Sequence, residues 1–197
     1  MFISILYFLW DSLTLWFTNL FLTPILYPQS LWILIPVYIE FFLAEIFQEK
    51  KGTSKGNAIT NSVIVLWGGV DFLRVMINSI NVITLDVNFW LKVSLAVFII
   101  IYGLVIIILG FKSHYLIQYI AKIKVVSYFI IIFTPLYYAG IELNFSYVLG
   151  VFLFFPLFYA LIYLIDRFVP DPKAFIDDLK DSSDSSNFES KSLGALK

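Results

Sequence analysis

NAITNSVIVLWGGVDFLRVMIN, running from Asn57 to Asn78, is the stretch that decides what kind of chain this is. As a helix rising roughly 1.5 Å per residue it reaches about 33 Å, enough to cross the hydrocarbon core of a bilayer. Yet it carries Asn57, Thr60, Asn61, Asp71, Arg74 and Asn78, which a helix surrounded by lipid would not tolerate. Projected at 3.6 residues per turn, Asn57, Asn61, Ile64, Gly68, Asp71, Val75 and Asn78 fall on one face. An apolar helix with that stripe, and with Gly68 and Gly69 side by side, is expected to turn the stripe toward other helices or a wet cavity. The reading is a polytopic membrane protein, and it leaves the ligand or reaction open.

Working outward, apolar segments recur on both sides. Residues 2–22 form the first, closed by Pro24 and Pro28; residues 31–48 form the second, with Trp32 as an interface anchor and Pro36 inside. Beyond the 57–79 helix come 89–111, which is Ile-rich, then 125–140, interrupted at Thr134-Pro135. The last is 146–168, with Pro156 inside and Asp166-Arg167 at its exit. The expected fold is therefore an all-α transmembrane helical bundle of about six spans, forming one domain over residues 1–169. Gly103 and Gly110, seven apart on one face of 89–111, would allow close helix approach.

Segment 2–22 admits two readings. Ser4, Tyr7, Asp11, Thr14 and Thr18 recur every three to four residues, so it is either a bundle helix facing inward or an amphipathic helix in the interface. Interfacial helices usually carry Lys or Arg on the polar face, and its lack of both favours the crossing. No Lys or Arg precedes Lys50 and no small-residue cleavage site follows the segment, so it is expected to stay in the mature chain. At the other end, residues 170–197 change character. Asp171-Pro172 can cap a short amphipathic helix, KAFIDDLK, and the Ser-rich remainder reads as a disordered cytoplasmic tail.

Composition agrees and excludes. Hydrophobic residues make up 60% of the chain and charged ones 14%, about half the share in soluble domains. A net charge of −1 offers no basic field for nucleic acid. Cysteine is absent, which removes disulfides, thiolate metal sites and thiol nucleophiles, and His114, the sole histidine, sits in a basic loop. No phosphate-binding loop, nucleophile elbow or dinucleotide fingerprint appears, so an enzyme is not the expectation and no cofactor is evident.

Lysines and arginines set an orientation. Lys50, Lys51 and Lys55 follow the second segment; Lys112, Lys122 and Lys124 follow the fourth; Arg167 and Lys173 follow the sixth. The positive-inside rule then places both termini in the cytoplasm of a multi-pass protein of the cell membrane. Measured from the cytoplasmic side, Asp11 lies about 15 Å deep, Glu40 about 12 Å and Asp71 about 21 Å. Glu45 is shallower, level with Thr60 and Asn61, which could hydrogen-bond it. Each charge at mid-membrane costs around 2.5–3.5 kcal/mol, so three carboxylates near one Arg74 call for proton uptake, a bound monovalent or divalent cation, or water.

The leading functional expectation is a small channel or secondary transporter for a cation or proton. Asp11, Glu40 and Asp71 would be its ligands, Thr60 and Asn61 its cytoplasmic entry with Asn57 supporting, and Arg74 would tune Asp71. Pro36 is expected to free a backbone carbonyl one turn before Glu40, the local chemistry of many intramembrane binding sites, and Gly68-Gly69 would permit close approach or bending. A structural reading stands beside it: Asp71 and Arg74 form a self-satisfied pair, Glu45 sits at headgroup level, and Asp11 faces water. Two other functions remain open. One is a non-catalytic subunit or scaffold packing with partner membrane proteins or as a homo-oligomer; the other is a lipid-acting enzyme with Glu40, Glu45 and Asp71 holding a metal.

Overall fold

The computed structural model describes residues 2–47, 54–80 and 85–168. The loop carrying Lys50 and Lys51, and the short helix and tail expected over 170–197, lie outside the described residues. The fold is an all-α bundle built on six long helices. They are α1 (Phe2–Phe17), α2 (Leu31–Phe47), α3 (Lys55–Ser79), α4 (Val87–Phe111), α5 (Ile123–Tyr138) and α6 (Phe145–Phe168). Each apolar segment of the sequence thus appears as a helix. Side chains supply the caps: Ser54 accepts from the Asn57 amide at 3.1 Å, Asp86 from Phe89 at 2.8 Å and Asn144 from Tyr147 at 2.8 Å. Gly140, at φ +67°, lets the chain leave α5 through a left-handed turn.

Three helices, Gly56–Ser79, Val87–Phe111 and Phe145–Ile165, are long and apolar enough to cross a membrane, which suggests a multi-pass membrane protein. Three of the expected spans differ from expectation, in two ways. The run Leu6–Leu26 and the run Pro28–Glu45 meet at 94°, so together they make at most one further candidate span. Two crossings joined by a tight turn would nearly reverse direction; this bend is half a reversal. Its cause lies in the prolines. Pro24 has no N–H for the Leu20 carbonyl, the backbone opens into a π-helical turn at Thr18–Leu22, and Tyr38 of α2 donates its hydroxyl to that carbonyl at 2.9 Å. The other difference is α5, whose 16 residues reach about 24 Å, short of a full crossing.

That short helix is the centre of the bundle. Twelve of its 16 residues are buried, including Ser127 and Thr134. α2, α3 and α6 pack around it, and hydroxyl groups tie α1, α4 and α6 to it. Trp16 Nε1 of α1 donates to Tyr128 Oη at 2.9 Å, and Tyr128 donates in turn to the Val151 carbonyl of α6 at 2.6 Å. Tyr147 of α6 donates to the Ile132 carbonyl, and Tyr137 to the Lys92 carbonyl of α4 at 2.9 Å. Each such bond gives a buried phenol the partner it needs where water is excluded.

α3 and α4 make the closest helix pair. The buried residues of α4 are Phe89, Lys92, Ala96, Ile99, Gly103, Ile106 and Gly110, spaced alternately three and four apart along one seam. A Cβ on Gly103 would lie 2.8 Å from Leu66 Cγ, and one on Gly110 would lie 2.5 Å from Ile59 Cγ1. Gly69 meets the main chain itself, since its Cβ would sit 3.0 Å from the Ile100 amide nitrogen. Gly68, next to it, faces α5 instead, 2.6 Å from Ile130 Cδ1. Adjacent helix positions point about 100° apart, so the Gly-Gly step lets α3 approach two neighbours at one level.

The candidate site, a cleft between α2 and α3

Lys112, Lys122, Lys124 and Arg167 mark one end of the bundle, called here the basic end; the turn at Gly140 lies at the far end. α2 runs toward the basic end and α3 away from it. Both pack on α5, but they barely touch each other, and a cleft opens between them.

Two chambers occupy the cleft. The far-end chamber, of about 1040 Å³, is lined by Trp32, Asp71, Arg74, Asn78 and Tyr138 among others. The second, of about 540 Å³, lies toward the basic end and is lined by Pro36, Glu40, Thr60 and Ile64 among others. Trp67 borders both. Its ring stands 6.5 Å from that of Trp32 on the opposite wall, so an indole pair marks the level where one chamber gives way to the next. Behind the far-end chamber the floor is stiff: Tyr137 stacks on Phe72 with centroids 4.2 Å apart.

Asp71 is buried and fully occupied. Its Oδ1 accepts from Arg74 Nε at 2.9 Å and Nη2 at 2.7 Å, and its Oδ2 accepts from the Tyr138 hydroxyl at 2.5 Å. The second hydrogen of Nη2 reaches Tyr138 Oη at 3.3 Å. The Asp71 side chain is 2% exposed and that of Arg74 51%, so the acid is covered while its partner projects into the chamber. An Asp and an Arg three apart on a helix face one another by geometry; burial of the carboxylate makes that contact a fixed one.

Glu40 is different. It is half-buried, and among the described residues it makes no hydrogen bond or ion pair. The carbonyl that Pro36 deprives of its helical donor is that of Trp32, two turns from Glu40, so the expected local partnership does not arise. Glu45, one turn further along, is buried against Lys124 at 2.6 Å, and Lys124 also lies 5.2 Å from the centre of the Tyr159 ring.

Asp11 lies exposed on α1, a helix that packs mainly on α6, and it lines neither chamber. The cleft therefore gathers Glu40 and Asp71 but not Asp11. Thr60 bonds its own helix, at the Asn57 carbonyl 2.8 Å away, and Asn61 donates to the Ala121 carbonyl at 2.8 Å. Asn61 is buried against the turn before α5, where it ties helices together and lines neither chamber. Glu40, Glu45 and Asp71 do not assemble, and no group of three His, Cys, Asp or Glu suited to a metal forms among the described residues.

Sequence reasoning passed over Tyr138, Lys124 and Trp67. Tyr138 carried one signal, a polar-tipped aromatic placed just after Pro135 at the end of a span. The chain matches no family model, and no curated protein or solved structure is similar to it.

Proposed function

We propose that this chain is a multi-pass protein of the cell membrane that moves a proton or small cation along the α2–α3 cleft. Glu40 is the group that takes the charge up and passes it on. The observation that carries this reading is the difference between Glu40 and the other acids of the apolar helices. Asp71 and Glu45 each have a cation held against them, whereas Glu40 has none among the described residues. A half-buried carboxylate on the wall of that chamber is placed to exchange a proton or a cation with water entering it.

In this scheme Trp67 and Trp32 are the constriction between the chambers, and the Asp71–Arg74–Tyr138 cluster fixes the electrostatics of the far mouth. The basic end faces the cytoplasm, with the carboxyl terminus on that side. Placing the amino terminus there as well depended on α1 crossing upright, and the 94° bend removes that basis.

Flux tests the proposal. Purified protein in liposomes should collapse an imposed pH or cation gradient, and Glu40→Gln should slow the collapse by about tenfold or more. Undiminished flux in a well-folded Glu40→Gln protein would remove Glu40, and the scheme with it.

A further inference from the structure

The far-end chamber has features that the movement of a bare ion does not use. With Asp71 covered by three donors, the charged surface that remains open to the chamber belongs to Arg74. Of its guanidinium nitrogens, Nε and Nη2 are committed to Asp71 and Tyr138, and Nη1 has no hydrogen-bond partner among the described residues. The group is held from behind on two sides, so its orientation is set before anything binds. A guanidinium held in that way presents Nη1 as an oriented, charged donor of the kind that suits a carboxylate or phosphate oxygen.

Size and lining extend the argument. About 1040 Å³ lies just above the roughly 300–1,000 Å³ found for pockets that hold small organic molecules, so such a body fits. Trp32, Trp67, Val70 and Val75 supply apolar wall beside Arg74, while Gln29 and Asn78 offer amide groups. We infer that the far-end chamber binds an organic anion, a carboxylate or phosphate on an apolar body, anchored at Arg74 Nη1 with the body against the two indoles. Asp71 and Tyr138 are positioning residues, since they act on the anion only through the guanidinium. The inference shares the far mouth with the transport reading but does not depend on it, because Glu40 takes no part in it. The same chemistry is presented by the headgroup of an anionic lipid entering from the bilayer and by a soluble amphiphile entering from water.

Binding to the full chain in phosphatidylcholine nanodiscs tests it, read as a shift in melting temperature and as a change in tryptophan fluorescence. Phenyl phosphate serves as the soluble probe, inorganic phosphate as its bodiless control, and phosphatidylglycerol added to the disc as the lipid probe. Saturable stabilisation by phenyl phosphate assigns the site to a soluble anion; stabilisation by phosphatidylglycerol alone assigns it to a lipid. Either supports the inference, provided that Arg74→Lys weakens the effect by about tenfold or more. Since an orphaned Asp71 could unfold the chain, the paired variant Asp71→Asn with Arg74→Gln removes both charges together and should abolish the response. Inorganic phosphate acting as strongly as phenyl phosphate, no response to any probe, or an undiminished response in the paired variant would each overturn it. Glu40→Gln should bind as the parent does, so lost flux and lost binding remain separate results.

Discussion

α3 has two sides that could hardly differ more. Toward α4 the seam holds Gly69 of α3 with Gly103 and Gly110 of α4, whose missing Cβ atoms let the backbones approach until Gly69 faces the Ile100 amide nitrogen. Toward α2 it presents Trp67, Asp71 and Arg74 across a cleft that leaves two chambers open. The lesson concerns what fills the space between apolar helices in lipid. Small residues permit direct contact and dispersion does the rest, whereas bulky or charged side chains hold the helices apart and leave room for water or a ligand.

The largest effect should come from the open side. Arg74→Ala leaves a buried Asp71 without its cation and is expected to destabilise the fold by about 3 kcal/mol. The variant Asp71→Asn with Arg74→Gln should recover at least half of that, as chemical unfolding in detergent would show. If Arg74→Ala is neutral, water reaches Asp71 and the cluster is no more than a surface pair.

The closed side comes next. Gly69→Ala is expected to cost about 2 kcal/mol by overpacking, because the obstacle includes main chain that cannot rotate away. Gly56→Ala, whose new Cβ would meet only Ser54 Oγ at 3.8 Å, should cost nothing measurable. Equal melting temperatures for the two would mean that the α3–α4 seam is looser than described.

Smaller again is Trp67→Ala. The side chain is half exposed, so its loss should cost about 1 kcal/mol or less, while joining the chambers and raising the passive ion leak in liposomes. An unchanged leak would show that the indole is no constriction. Least of all in stability, Glu40→Gln should stay within about 0.5 kcal/mol of the parent, since it breaks no contact among the described residues. A large loss would point to a structural role and blur the contrast between Glu40 and Asp71.

Much of the closed side was legible in the sequence, and little of the open side. Gly103 and Gly110 share a helix face by spacing alone, and spacing is a local property. The Asp71–Arg74 pair was legible for the same reason. Tyr138, which completes that cluster from 67 residues away, was not, because periodicity within one helix says nothing about which neighbour arrives at its level. The depths assigned to Asp11, Glu40 and Asp71 assumed upright crossings, and depth is only one coordinate. The 94° bend turns α1 across the bundle and takes Asp11 out of the cleft altogether. Nor did α5 announce itself as the core. Its Ser127 and Thr134 share a face but are too few to mark it, since a helix enclosed on nearly every side has no polar outer face to contrast with.

The enclosure of α5 bears on how this chain would respond to its surroundings. A helix that meets protein almost everywhere does not have to match its length to the lipid. In a thicker or thinner bilayer the adjustment would fall on α4 and α6, whose outer surfaces are apolar and exposed. They would tilt around α5 as around an axle, and the seams they share with their neighbours would shear while the hub kept its form.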